Sequence, residues 1–266
     1  MTEAVTTDAP TRSWVGWFPR QWAAIDAETL ERRPFGAFEA GLLVVAAVAL
    51  VFQRFPGRGD AFQRTLEPDS TWFDFADQLQ WGLGTSFAYI AIPLAYLALT
   101  RAPIRDYNLG WRGTQRHLPM YLAMLVLMGL PILIVSATGD YQRIYPFYDS
   151  AHRSWTDLIA WELVYGLQFV GLEFFFRGFL LHGLRPALGH AAIFVMVVPY
   201  CMLHFGKTWS ESLAAIVAGI ILGTVAMRWR SIWGGVLIHW TVAISMDAAS
   251  LLRQGRFPPG ELFPPG

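Results

Sequence analysis

The chain has 266 residues, 54% hydrophobic and only 15% charged, well under the roughly 25% of an average soluble domain. Twenty basic residues cancel twenty acidic ones, which leaves no bulk charge for gripping nucleic acid. A single cysteine excludes a disulfide framework and any cysteine-built zinc or iron–sulfur centre. With twelve tryptophans and a mean hydropathy of +0.36, the composition points to a polytopic membrane protein.

In chain order, residues 1–36 contain no apolar core of the kind a secretory signal needs. Glu3, Asp8, Arg12, Asp26, Glu28, Glu31, Arg32 and Arg33 punctuate them, so the segment reads as a polar tail. Trp14, Trp17, Phe18 and Trp22 beside Arg20 suit a stretch that touches lipid headgroups. A bilayer core of about 30 Å needs about 20 apolar residues per helix. Seven segments approach that: Ala37 to Phe55, Leu79 to Thr100, Leu118 to Thr138, Trp155 to Leu184, Ala191 to Phe205, Ser212 to Met227 and Ser231 to Leu252. The fifth and sixth are short, which fits helices buried among neighbours. The expected architecture is an all-α transmembrane bundle over residues 37–252. Residues 253–266, with their repeated Pro-Pro-Gly, read as an unstructured tail.

Basic residues in the connections set the expected orientation. With the N-terminus cytoplasmic, eleven basic side chains fall on the inner side and eight on the outer. The expected location is the plasma (inner) membrane.

Ionisable side chains in a membrane cost several kcal/mol by most scales and need a reason. The first three helices are nearly free of them, and the last four are not. The fourth carries Glu162, Glu173 and Arg177, the fifth ends in His204, and the seventh carries His239 and Asp247. Four residues separate Glu173 from Arg177, so the two meet on one helix face, and pairing lowers the penalty on both. Glu162 shares that face about 16 Å away. Counted along the helices, Glu173, His204 and His239 reach a common depth near midplane. There, one carboxylate and two imidazoles form a plausible acid–base apparatus. Asp247 lies about 80° round the helix from His239 and about 12 Å along it, suited either to a cavity mouth or to a helix end. Lys207, the chain's one lysine, and Glu211 sit at pairing distance in the HFGKTWSE loop, as an ordinary loop pair or a charged rim. Gly219 to Gly223, GIILG, reads as a small-residue packing face.

The stretches GLEFFFRGFLLHGL, YCMLH and SIWGGVLIHW resemble the CPBP family of intramembrane proteases, which includes the CAAX-processing type II prenyl endopeptidases and Abi-type proteins. That family's pattern is a Glu-Glu-x-x-x-Arg-Gly helix, a Phe-x-x-x-His helix and a His-x-x-x-Asn/Asp helix. The resemblance covers about residues 155–250, with RAPIRDYNLGWRG as a similar lead-in. It implies an intramembrane endopeptidase acting on a membrane-associated or lipidated protein through water activated by Glu and His. On this pattern Glu173, Arg177, His204 and His239 are the expected catalytic set, with Tyr200 at the usual Phe and Asp247, Lys207, Glu211 and Glu162 as possible accessories. Two motif positions depart: the first glutamate is Leu172, and the Asn/Asp is Ala243.

The departures leave two readings, an active protease with Glu173 as base and a degenerate member serving as a membrane scaffold. No cofactor is expected; Glu173, His204 and His239 as a two-His, one-carboxylate zinc site is the alternative. The implied partners are a peptide substrate in the membrane and the bilayer itself, not nucleic acid.

Overall fold

The computed structural model describes residues 16–29, 32–257 and 260–264. Regular structure among them is helical, apart from two isolated β-bridges. The main helices are α1 (Trp17–Ala27), α2 (Ala37–Arg54), α3 (Phe73–Leu99), α4 (Leu118–Val135), α5 (Trp155–Leu188), α6 (Ala192–Met202), α7 (Trp209–Trp229) and α8 (Trp233–Arg253). Among the described residues, six helical stretches are long and apolar enough to cross a membrane. One of them, Trp155–Met202, turns back at Gly189 and contains α5 and α6, so it holds two of the seven expected segments. Gly189 has φ +57°, and a Cβ there would strike Asp26. Only glycine makes that reversal without strain. The protein is an integral membrane protein.

Polarity is distributed as a bilayer requires. Val126, Leu127 and Leu130 of α4 are 65–80% exposed, whereas Glu173, Arg177 and Asp247 are fully buried. Side-chain caps start α5 and α7. Ser154 accepts the Asp157 backbone N–H at 3.0 Å at the head of α5, and Thr208 accepts that of Glu211 at 3.3 Å at the head of α7. Each satisfies one of the donors that a helix start leaves free.

Two π-helical turns interrupt the long helices, Phe87–Ala91 in α3 and Phe174–Leu180 in α5. They pack on each other, with Tyr89 stacked on Phe175 at 4.8 Å. A π turn disturbs the regular backbone ladder and occurs mostly at functional positions. Here the Arg177 carbonyl accepts a 2.8 Å hydrogen bond from Asn108 Nδ2. Asn108 holds a left-handed conformation, φ +60°, which asparagine tolerates better than most residues.

Close helix packing rests on small residues. Gly219 and Gly223 of α7 face Val197, Tyr200, Met196 and Ile193 of α6, so the GIILG run is a packing face. Gly166 faces Trp240 of α8, and Gly178 faces the Tyr107 carbonyl. Both therefore admit neighbouring protein.

Both termini are more ordered than their composition suggests. Trp14 lies outside the described residues. Residues 17–27 form α1, which docks on the bundle: Trp22 donates to Thr224 Oγ1 at 3.1 Å and stacks on His190 at 5.6 Å. Asp26 accepts from the His190 backbone at 2.9 Å, and Glu28 pairs with Arg228 at 2.7 Å. At the other end, the expected unstructured tail is anchored over residues 261–262. The Glu261 and Leu262 carbonyls accept the backbone N–H groups of Trp155 and Thr156 at 3.0 and 3.1 Å. These are donors of the first turn of α5, which need partners from outside the helix.

Candidate active site

Glu173 is the last residue of α5 before its π turn and is fully buried. Its Oε1 lies 3.1 Å from Arg177 Nη1 and 2.9 Å from His239 Nδ1. These are ion-pair distances, yet neither Glu173 oxygen takes an aligned hydrogen bond, and neither do the Arg177 nitrogens. The charge is therefore neutralised while acceptor capacity on the carboxylate remains. Gly235 makes room for the group, because a Cβ there would overlap the Glu173 carboxylate.

His239 bridges two helices. Its Nδ1 faces the Gly235 carbonyl at 3.1 Å as well as Glu173, and its Nε2 lies 2.7 Å from the Tyr200 hydroxyl. Phe169 of α5 stacks on the ring at 5.6 Å. Tyr200 carries the Arg177 guanidinium 4.2 Å above its own ring. Such a cation–π contact is worth most where water is excluded.

His204 lies just beyond α6, partly buried. Its ring sits 5.1 Å from that of Tyr200, and its Nδ1 is 3.1 Å from the Tyr200 carbonyl. The structure thus brings Glu173, Arg177, Tyr200 and His239 into direct contact, with His204 reaching the group through Tyr200. Among the described residues no group of three His, Cys, Asp or Glu side chains lies close enough to hold a metal ion.

The other ionisable residues form a separate group toward the far end of α5 and α8. Asp247 is fully buried and accepts from Trp161 Nε1 at 2.7 Å. It neither ends α8 nor touches His239's partners. Both Glu162 oxygens are buried without a hydrogen-bond partner. Lys207 Nζ stands 3.9 Å from Glu211 Oε2, and it lies 5.5 Å over both the Tyr145 and Phe147 rings. Burial lowers the Lys207 ammonium's pKa, and Glu211 opposes the shift. Glu211 also accepts from Tyr145 at 2.8 Å.

Four residues of the site escape sequence reasoning. Gly235 and Phe169 hold Glu173 and His239 as described, and Asn108 holds the π turn. Tyr121 of α4 is fully buried with its hydroxyl unpartnered, packed against Gly234. Only Asn108 left a signal, as the Asn-Leu-Gly of the lead-in. At the two departures, Leu172 belongs to the apolar cluster of Tyr89, Phe175 and Phe179, and Ala243 to that of Trp161, Tyr165 and Phe169.

Comparison with known proteins agrees with this layout. Residues 154–245 match the family model described as Rce1-like, Type II CAAX prenyl endopeptidase Rce1-like. The match opens one residue before α5 and ends within α8, so it spans the helices that carry Glu173, Arg177, Tyr200, His204 and His239. The CPBP resemblance read from the three motifs is borne out over this segment. No curated protein and no solved structure matches the chain.

Proposed function

We propose that the chain is an intramembrane endopeptidase that hydrolyses a peptide bond of a membrane-associated or lipidated protein. The observation that carries this reading is Glu173. It is fully buried, lies within 3.1 Å of Arg177 and 2.9 Å of His239, and has acceptor capacity to spare. A carboxylate held in that state accepts a proton from water attacking a carbonyl carbon. Arg177 offsets the cost of burying its charge. Imidazole at the site orients the water and stabilises the oxyanion that follows. Leu172 and Ala243 favour a second reading, a member of the fold that binds membrane proteins without cleaving them.

One experiment decides between them. Purified protein in liposomes is incubated with a prenylated CAAX peptide and with candidate membrane-protein substrates, alongside Glu173→Gln. Cleavage that Glu173→Gln lowers by about 10²–10⁴-fold supports the protease. Cleavage that survives the substitution removes Glu173 as base, and no cleavage by the wild type supports the binding protein. The balance of basic residues between the connections favours a cytoplasmic N-terminus in the plasma membrane, which reporter fusions at residue 10 test.

A further inference from the structure

We infer that Tyr200 is a positioning residue. Its hydroxyl fixes the tautomer of His239, with the hydrogen on the nitrogen beside Glu173, which leaves His204 as the imidazole open to substrate. The tautomer follows from geometry alone. The division of labour between the histidines rests on the protease reading above.

His239 Nδ1 faces two groups that only accept, the Gly235 carbonyl at 3.1 Å and Glu173 Oε1 at 2.9 Å. A ring nitrogen between two acceptors must carry the hydrogen. In the neutral ring Nε2 is then an acceptor, and the one polar atom on it is the Tyr200 hydroxyl at 2.7 Å. A hydroxyl can donate, so the order is Tyr200 O–H to Nε2, and Nδ1–H to the Gly235 carbonyl, with the Glu173 carboxylate 2.9 Å from the same nitrogen. The partner of an imidazole's second nitrogen selects the tautomer in this way.

Tyr200 is built to stay there. It is 1% exposed, Arg177 covers one face, and Phe176 meets it edge-on at 5.4 Å. Gly219 of α7 lets its ring pass where a Cβ would press on it at 3.1 Å. The titratable and charged groups around His239 are Glu173 and Arg177 from α5, Tyr200 and His204 from α6 and its end, and, acting on Glu173, Tyr121 from α4. With both His239 nitrogens occupied, this ring clamps Glu173. His204, whose Nδ1 rests on the Tyr200 carbonyl, keeps its Nε2 for substrate.

The test uses full-length protein labelled with ¹⁵N-histidine, in detergent or nanodiscs, with His239→Ala to assign the signal. Wild type should show His239 as a single Nδ1–H tautomer across the neutral range. Tyr200→Phe removes only the hydroxyl. It should give mixed tautomers. On a cleaved peptide, kcat should drop about tenfold with KM little changed, the kinetic equivalent of one net hydrogen bond. Incorporating 3-fluorotyrosine at position 200 keeps the bond and should keep the wild-type tautomer, so it decides the matter if Tyr200→Phe fails to fold. An unchanged His239 signal in Tyr200→Phe, or an Nε2–H tautomer in wild type, overturns the proposal. The expected tautomers without any cleavage overturn only the protease reading.

Discussion

Gly235 and Glu173 compete for the same volume: the carboxylate of α5 occupies the space that a side chain at position 235 of α8 would fill. Gly235→Ala should therefore push the carboxylate away from Arg177 and His239. Overpacking of this kind costs about 1–3 kcal/mol, so thermal unfolding in detergent should show a lower midpoint. Peptide turnover should fall further than that stability loss explains. A variant with wild-type turnover would mean that Glu173 need not occupy its observed position.

The Glu173–Arg177 pair should behave as a unit. Removing the guanidinium alone with Arg177→Met leaves a buried carboxylate with His239 as its one cationic candidate. Breaking a buried pair costs about 3–5 kcal/mol. Combining it with Glu173→Gln removes the stranded charge, so the double variant should be more stable than Arg177→Met. The measurement is a double-mutant cycle on unfolding midpoints. Strict additivity would show that the 3.1 Å approach carries no coupling.

Much of the fold is legible in the sequence because a bilayer admits few solutions. Apolar runs alone locate the seven segments, and α4 begins at Leu118 and α5 at Trp155, as the pattern predicts. The i, i+4 spacing likewise puts Glu173 beside Arg177. Contacts between distant parts of the chain are not legible. Tyr200 and His239 are 39 residues apart, and no periodicity tells which hydroxyl meets which imidazole. The π turn is hidden too, since the run FFFRGFL reads as plain helix and the asparagine that holds its carbonyl lies 69 positions earlier. At α1 the charges that suggest a free tail are those that dock it: Asp26 and Glu28 find His190 and Arg228 from elsewhere in the chain.

That docking should loosen in acid. Burial alone would raise the Asp26 carboxyl, but the His190 backbone N–H, the His190 ring and Arg32 together hold it below its ordinary 3.8. A carboxylate depressed in the fold contributes stability that is full above its unfolded pKa. The contribution is lost as pH falls through the lower, folded value. Hydrogen-exchange protection over residues 17–27, corrected for the intrinsic pH dependence of exchange, should thus hold steady from neutral pH down to about pH 4, then fall below it. Asp26→Asn should raise exchange at neutral pH and flatten the acid response. An acid limb that persists in Asp26→Asn would assign it to another group.

The sharpest division between the two functional readings falls at Leu172. If the chain is a protease lacking a needed carboxylate, Leu172→Glu repairs it. If Glu173 already suffices, the new carboxylate only harms. The structure favours harm. Leu172 is 8% exposed and packs in the apolar cluster with Tyr89, Phe175 and Phe179, where an unpaired charge has no partner and would have to take up a proton. Arg177, the nearest cation in sequence, is already engaged by Glu173. Leu172→Glu should therefore lower the unfolding midpoint strongly and leave turnover at or below the wild-type rate. Leu172→Gln, which is polar but uncharged, should destabilise less, which separates the cost of charge from that of lost packing. Turnover in Leu172→Glu that exceeds wild type would sink the single-glutamate mechanism and show that the site is one carboxylate short.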